Sequence, residues 1–225
     1  HHRDDIRQIE AIFMGQAGLL ELNTIPERYQ KDALNDGYFA KLRNEYKYLA
    51  HKFNLTPMDY RQWRFLRLRP QNFPHIRISQ LAHLYYQRKA GLSQLVEAAS
   101  VEDAKKVLAT AVTPYWETHY TFGSTSVRND KNLSPFSLNL LCINTVVPIL
   151  FAYGRHRGEE KYCDRAFDFL EQLRPENNYI IRLWQQSGLV VDNAGDSQAL
   201  IQLKKEYCDK KECLRCRFGY EYLKL

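Results

Sequence analysis

Apolar residues recur at helical spacing along almost the whole chain. Ile78, Leu81 and Tyr85, for example, lie at positions i, i+3 and i+7, which predicts one buried stripe on a helix. No run of alternating β-branched residues between turns is long enough to predict a substantial sheet. The pattern therefore predicts an all-α fold, with helices over about residues 5–14, 29–53, 57–61, 76–89, 92–98, 101–109, 114–119, 135–153, 159–173, 178–186 and 197–207.

Four positions carry the signature of a helix start. Thr56, Thr113 and Ser134 each precede a proline. The hydroxyl can accept a bond from a free amide at the helix N-terminus, and proline lacks the amide that would stay unsatisfied there. Ser100 begins a sequence close to a capping box. Because no repeat and no linker rich in Pro, Gly or Ser interrupts the pattern, we predict a single irregular multi-helical domain over residues 1–225, with a Cys-containing C-terminal segment at about 205–225.

Composition and charge bound the class of protein. The chain is 44% hydrophobic and 26% charged, as in ordinary soluble globular proteins. Its net charge of +6 is compatible with DNA, RNA or another polyanion, and equally with a basic surface that has no specific partner. Gly-rich phosphate loops and the H-E-x-x-H and G-x-S-x-G motifs are absent from the sequence. This argues against nucleotide-hydrolysing, zinc-protease and serine-hydrolase activities.

The most apolar run, residues 136–151, contains polar residues and a proline, Pro148. At this length we expect a buried central helix and no membrane partner, since a membrane span needs about 20 apolar residues. The odd number of cysteines fits a reducing cytoplasm better than a secreted disulfide framework. The chain begins without methionine, so we expect a processed protein or the C-terminal part of a longer one.

Three of the five cysteines are clustered near the C-terminus, where Cys208, Cys213 and Cys216 are spaced C-x4-C-x2-C. Thiolates at such spacing can bind zinc or an iron–sulfur cluster, and four ligands close a structural site. The fourth ligand would come from an upstream region outside this chain or from Cys163, Cys142 or His156. The alternative is that these cysteines are ordinary reduced thiols.

A basic and aromatic stretch begins at Tyr60. Arginines contact phosphates and aromatic rings stack on unpaired bases, so this pattern indicates a nucleic-acid surface. Alternatively, the aromatic and aliphatic side chains pack inward while the arginines pair with acidic residues. The candidate binding residues are Arg61, Trp63, Arg64, Arg67, Arg69 and Arg77.

Glu117 and His119 are weak candidates for a general-base pair, because a carboxylate can orient an imidazole. Residues two apart on a helix do not share a face, so the pair requires the helix to end there. A buried histidine with a structural hydrogen bond is the alternative.

Several blocks, in the same order from end to end, carry a resemblance to a known family. They include Gln8-Ile9-Glu10-Ala11, Gly15-Gln16-Ala17-Gly18, Leu68-Arg69-Pro70, Asn72-Phe73-Pro74, Tyr115-Trp116, His119-Tyr120, Phe122-Gly123, Asn144 with Pro148, Glu176-Asn177, Asp196-Ser197-Gln198-Ala199-Leu200, and Tyr207-Cys208 with Cys213-Leu214 and Cys216. The chain resembles an uncharacterised bacterial family, domain-of-unknown-function family 2851. The resemblance implies that longer members carry an upstream region similar to a restriction-endonuclease-type nuclease core, which is absent from this sequence.

Three functional hypotheses follow from the sequence. The first is an accessory nucleic-acid-binding helical domain that partners an upstream nuclease-like region. The second is a structural or protein-interaction domain with no chemistry of its own, which would bind that upstream region. The third is an independent hydrolase with its site near His119, although the absence of a complete catalytic motif favours a chain that is not itself an enzyme.

Overall fold

The computed structural model describes residues 5–87 and 91–223, and these are predominantly helical. The predicted all-α class is therefore confirmed. The α-helices are α1 Ile6–Gln16, α2 Glu27–Leu34, α3 Gly37–Phe53, α4 Pro74–Tyr86, α5 Leu92–Glu97, α6 Val101–Leu108, α7 Pro114–Glu117, α8 Pro135–Leu141, α9 Val147–Arg157, α10 Glu160–Gln172, α11 Tyr179–Gln186, α12 Ala194–Leu203 and α13 Arg217–Leu223. Short 3-10 turns occupy Leu22–Thr24, Tyr60–Gln62 and Pro70–Asn72, and π-helical turns occupy Cys142–Val146 and Lys204–Cys208.

The chain forms two compact units. Unit 1 comprises the residues up to Gly91 together with Leu108–Ser134, and unit 2 comprises Leu92–Val107 together with the residues from Pro135 onward. The single-domain organisation inferred from the sequence stays a prediction, because two compact units can belong to one folding domain or to two.

Unit 1 is built on α1, which packs against both α3 and α4. A two-stranded antiparallel hairpin, β1 His119–Thr121 and β2 Ser124–Thr125, follows α7. Large apolar side chains from these elements fill one continuous core. The largest fully buried side chains of this core are Met14, Leu19, Leu20, Phe39, Leu42, Ile76, Trp116 and Phe122.

Unit 2 is built on the α9–α10 pair. The long helix that begins at Pro135 contains a π-turn, in which the amide of Val147 donates to the carbonyl of Cys142. Pro148 supplies no amide to the helix ladder, and a π-turn is one way in which a helix accommodates such a gap. Cys142 is fully buried in this unit, as expected of a small core residue, and burial raises the pKa of its thiol to about 11.

Two helix predictions are wrong, and each has a local cause. Residues 29–53 form two helices and not one, because the Asp36 carboxylate accepts the amides of Tyr38 and Phe39 and so begins a new helix. Residues 57–61 form no α-helix. Asn54 ends α3 in the left-handed conformation (φ 51°), and the amide of Met58 donates to the carbonyl of α1 residue Gln16.

The stripe predicted on α4 is also wrong. Leu81 is 54% exposed and Tyr85 is 58% exposed, whereas Ile76, Ser79 and Ala82 face the core. The i, i+3, i+7 spacing fits more than one side of this apolar helix, so spacing alone could not select the buried face. The predicted end of this helix, at residue 89, lies outside the described residues.

The apolar run 136–151 lies within a longer helix than the sequence argument assumed. In the described part of the chain one helix, Pro135–Arg157, has the length and composition needed to cross a membrane. One of its faces is buried at Ile143, Val146 and Leu150, and Phe136 and Phe151 are exposed. Length and composition are satisfied equally by core helices of soluble proteins, so they do not assign this helix to a membrane.

Candidate functional site

The basic segment, residues 60–69, is anchored to the C-terminal end of α1. The Met58 amide just before it donates to the Gln16 carbonyl (2.9 Å), and the Trp63 indole donates to the Ala17 carbonyl (2.8 Å). Carbonyls at a helix C-terminus have no partner within the helix, so they need hydrogen-bond donors from elsewhere. The segment is therefore an irregular but anchored loop.

Two glycines of α1 and its exit allow this close approach. Gly18 has φ 70°, and a Cβ atom there would overlap the carbonyl oxygen of Met58. A Cβ atom at Gly15 would overlap the ring of Tyr46 on α3. Both glycines belong to the Gly15-Gln16-Ala17-Gly18 block that carries the family resemblance, so this block has a packing role beneath the basic segment.

The middle of the basic segment is a tight turn, Phe65–Leu68, closed by a bond from the Leu68 amide to the Phe65 carbonyl (3.1 Å). The Phe65 ring packs inward, edge-on to Phe73 with centroids 5.4 Å apart, and lies 5.9 Å from His75. Leu66 stands at the apex of the turn and is 85% exposed. The turn therefore has an aromatic anchor and an apolar tip.

Most of the predicted arginines point to solvent. Arg64, Arg67 and Arg69 are exposed, and within the described residues they form no ion pair. Arg61 is exposed as well, but its guanidinium is held by Asp59, with Nη2 and Oδ2 2.9 Å apart. Three cationic groups within six residues are thus available to a polyanion.

Two of the predicted binding residues are half-buried. Trp63 is half-buried and packs against the unit 1 core. Arg77 is half-buried on α4, where its guanidinium donates to the side-chain oxygens of Gln80 (2.9 Å) and Asn72 (2.6 Å). Burial lowers the pKa of Arg77 from its ordinary value. Trp63 therefore supports the segment from inside, whereas Arg77 bonds to residues outside it.

The charge of the chain is concentrated in the unit that carries the basic segment. Unit 1 contains 17 Lys and Arg residues against 11 Asp and Glu, whereas unit 2 contains 15 of each. The net charge of +6 therefore belongs to unit 1, and unit 2 is formally neutral.

The two candidate catalytic residues contact other partners. Helix α7 ends at Glu117, as the pair required, but the Glu117 carboxylate is bound by Arg128 at 2.6 Å. His119 begins β1, its Nδ1 lies 2.9 Å from the Tyr115 carbonyl and 3.0 Å from the Thr118 hydroxyl, and its ring stacks on Tyr115 at 4.0 Å. Each residue is therefore engaged in its own local contacts.

The buried Lys131 stabilises this end of α7. Its ammonium donates to the carbonyls of Glu117 and His119 (3.0 Å each) and to that of Trp116, and it lies 4.1 Å from the Tyr120 ring centre. A cation at a helix C-terminus interacts favourably with the helix dipole. Sequence reasoning did not identify this lysine, which falls between the predicted helices at 114–119 and 135–153.

The candidate metal ligands are spread through unit 2. Cys208 and Cys213 are exposed and Cys216 is buried. Cys163, on α10, is half-buried with its sulfur 3.6 Å from the Phe151 carbonyl. Across residues 5–87 and 91–223, no group of three or more His, Cys, Asp or Glu side chains is arranged to hold a metal ion. Zinc or iron–sulfur binding stays a prediction from the spacing alone.

A polar network around a buried carboxyl group was missed by sequence reasoning. Glu10 on α1 is fully buried and accepts bonds from the Trp116 indole (2.6 Å), the Tyr38 hydroxyl and the Thr113 hydroxyl (3.3 Å), with Ser79 as a further partner. Burial raises the pKa of the Glu10 carboxyl from its ordinary value, and the hydrogen bonds oppose this effect. The signal in the sequence was an acidic residue between apolar neighbours in the Gln8-Ile9-Glu10-Ala11 block.

Aromatic rings extend this network toward the surface. Tyr38 stacks on Tyr115 with ring centres 4.2 Å apart, and the Tyr115 hydroxyl donates to Asp36. Burial, together with these neighbouring carboxyl groups, raises the pKa of both tyrosines, so both keep their protons at neutral pH. Tyr38 also lines an open cavity of about 390 Å³ together with Arg7 and Lys41. The network joins α1, α3, α4 and α7 through hydrogen bonds.

The comparisons with known proteins agree with the resemblance. The family described as "Protein of unknown function (DUF2851)" matches residues 1–179, a region that contains the basic segment and the Glu10 network. No curated protein matches the chain, and no solved structure matches it. The matched region covers most of the 225 residues, so the chain belongs to the DUF2851 family of proteins of unknown function.

Proposed function

We propose that this chain is a nucleic-acid-binding helical module and that the basic segment is its contact surface. The observation that carries the proposal is that the arginines of this segment face solvent while its aromatic side chains pack against the core. Arg64, Arg67 and Arg69 face solvent without acidic partners among the described residues, while Trp63 and Phe65 hold the loop on the core. Arginine in this setting can make bidentate contacts with phosphate oxygens.

The distribution of charge supports the same function. A polyanion is attracted by the field of a whole surface as well as by individual contacts. The +6 charge of unit 1 provides such a field around the basic segment, whereas the formally neutral unit 2 does not. We therefore place nucleic-acid contact on unit 1.

The family resemblance suggests the context of this binding. An upstream nuclease-like region would supply the chemistry, and the present chain would hold the nucleic acid for it in a bacterial cytoplasm. The independent-hydrolase alternative is less favoured, because Glu117 is bound to Arg128 and the Nδ1 of His119 faces a backbone carbonyl.

A protein-interaction role has one observation in its favour. Unit 2 has an open groove of about 390 Å³ between the loop at Leu189 and Val190, α12 and α13, and Val190 is 77% exposed. If the upstream region binds there, Val190→Asp should abolish its association with this chain in trans. Binding that is unaffected by this change would exclude the groove.

Fluorescence anisotropy with a labelled duplex tests the nucleic-acid proposal. The triple variant Arg64→Glu, Arg67→Glu, Arg69→Glu should lose affinity by several hundred-fold at about 0.1 M salt, since three phosphate contacts with a slope of about 0.9 each contribute nearly three powers of ten there. The dependence of log K on log salt should fall by about 2.7 in slope.

The control matches the change in net charge. Arg155, Arg174 and Arg217 are exposed arginines of unit 2, and reversing all three removes the same formal charge. This control should retain most of the affinity. Equal losses in the two triple variants would show that binding depends on net charge and not on the basic segment, and no binding by the unaltered protein would refute the proposal.

A further inference from the structure

The apex of the basic segment combines an exposed apolar side chain with flanking cations. Leu66 is 85% exposed at the Phe65–Leu68 turn, and it lies between the exposed Arg64 and Arg67. Removing an exposed leucine side chain from water is favourable. An apolar group at the tip of a cationic turn therefore suits a partner whose surface is anionic and whose interior is apolar.

The backbone of this turn is strained at Arg67, a cationic residue next to Leu66. Arg67 has φ 65°, in the left-handed region that glycine or asparagine normally occupies in a turn of this kind. A non-glycine residue is disfavoured there, because its Cβ atom crowds the backbone. An arginine side chain is thus held beside Leu66 at a position where the backbone alone would favour glycine.

The position of the aromatic rings near the apex distinguishes three kinds of anionic partner: a single strand, a membrane and a duplex. Binding of single strands relies on aromatic faces on which bases stack, and membrane interfaces favour exposed Trp and Tyr side chains. Trp63 and Phe65, the aromatic residues nearest the apex, pack against the unit 1 core. A duplex requires no such stacking, because phosphates and groove edges supply the contacts.

We propose that the Phe65–Leu68 turn enters the minor groove of a nucleic-acid duplex, where Leu66 contacts a base step and Arg64 and Arg67 contact the flanking phosphates. This inference rests on the nucleic-acid-binding function proposed above. Apolar side chains that enter the minor groove partly unstack a base step and bend the duplex. Leu66 is then the residue through which this module deforms its ligand.

Leu66→Ala separates the apolar contact from the charge contacts, because it leaves every charge in place. Measured by anisotropy with the full chain, it should weaken duplex binding about ten-fold without changing the salt slope. Energy transfer between dyes on the two duplex ends should show that the bend is lost. Arg64→Ala should instead reduce the salt slope by about 0.9.

Leu34→Ala is the matched control, since Leu34 is a leucine of unit 1 that is 56% exposed and lies on α2 outside the basic segment. It should change neither affinity nor bend, and circular dichroism should show that both leucine variants are folded. An unchanged affinity and bend for Leu66→Ala would overturn the inference while leaving the proposed function intact.

Two further outcomes would also overturn it. Tighter binding to a single strand than to a duplex would indicate base stacking. Leu66-dependent binding to phosphatidylserine vesicles, with no binding to either nucleic acid, would indicate a membrane surface and would refute the proposed function as well.

Discussion

Replacing Glu10 with alanine should lower the free energy of unfolding by about 3 kcal/mol. The Glu10 carboxyl is fully buried, and the Trp116 indole donates to it at 2.6 Å. An indole N–H can only donate, so alanine leaves it without a partner, which costs about 1–3 kcal/mol. The hydroxyls of Tyr38 and Thr113 lie 3.1 Å apart and can bond each other, so they add less. The cavity left by the missing side-chain atoms contributes the remainder.

Glu10→Gln should behave differently, because an amide keeps an acceptor for Trp116 and provides donors for the two hydroxyls. Burial raises the pKa of the Glu10 carboxyl in the folded protein above its unfolded value. The stability associated with this group is therefore fully present below the unfolded pKa, about 4.3, and is lost as pH rises through the folded pKa. Compared with the unaltered protein, the Gln variant should therefore gain relative stability when pH is raised from pH 4, below the unfolded pKa, to pH 8.

Urea denaturation followed by circular dichroism at both pH values gives the required free energies. Glu27→Ala is the control, since Glu27 is exposed in the first turn of α2, and it should change stability by less than about 1 kcal/mol. A loss below about 1 kcal/mol for Glu10→Ala, or the same pH dependence in the Gln variant and the unaltered protein, would refute this account of the buried carboxyl.

Two further predictions concern the anchored loop and the C-terminal cysteines. Gly18→Ala should lower the free energy of unfolding by about 2 kcal/mol, because Gly18 has φ 70° and a Cβ atom there has no space beside the Met58 carbonyl. The change should also expose the basic segment to limited proteolysis. A protease pattern like that of the unaltered protein would contradict this. From their spacing we also propose that Cys213 and Cys216 bind zinc or iron, so replacing both with serine should remove the metal from protein purified without oxygen and lower its melting temperature. An unchanged metal content and melting curve would leave these residues as ordinary thiols.

The sequence by itself determined the helical class and several helix starts, because both depend on local spacing and local hydrogen bonds. Ser100 illustrates this: its hydroxyl accepts the amide of Asp103 (3.1 Å), as the capping pattern predicted. The basic segment was also visible, since a run of arginines needs no tertiary information to be noticed. Which of them face solvent was not visible, because Arg77 is half-buried only where α4 packs against α1 in the folded chain.

Only the tertiary structure decided how these parts function together. The bond from Trp116 to Glu10 joins residues 106 positions apart, and the bond from Trp63 to Ala17 joins residues 46 apart. The 57–61 pattern favoured a helix, but Met58 bonds to the end of α1 instead, which turns the basic segment into a loop with Leu66 at its apex. Periodicity indicates which residues could share a helix face. Contacts between segments distant in sequence decide which face is buried and which donor bonds to each acceptor.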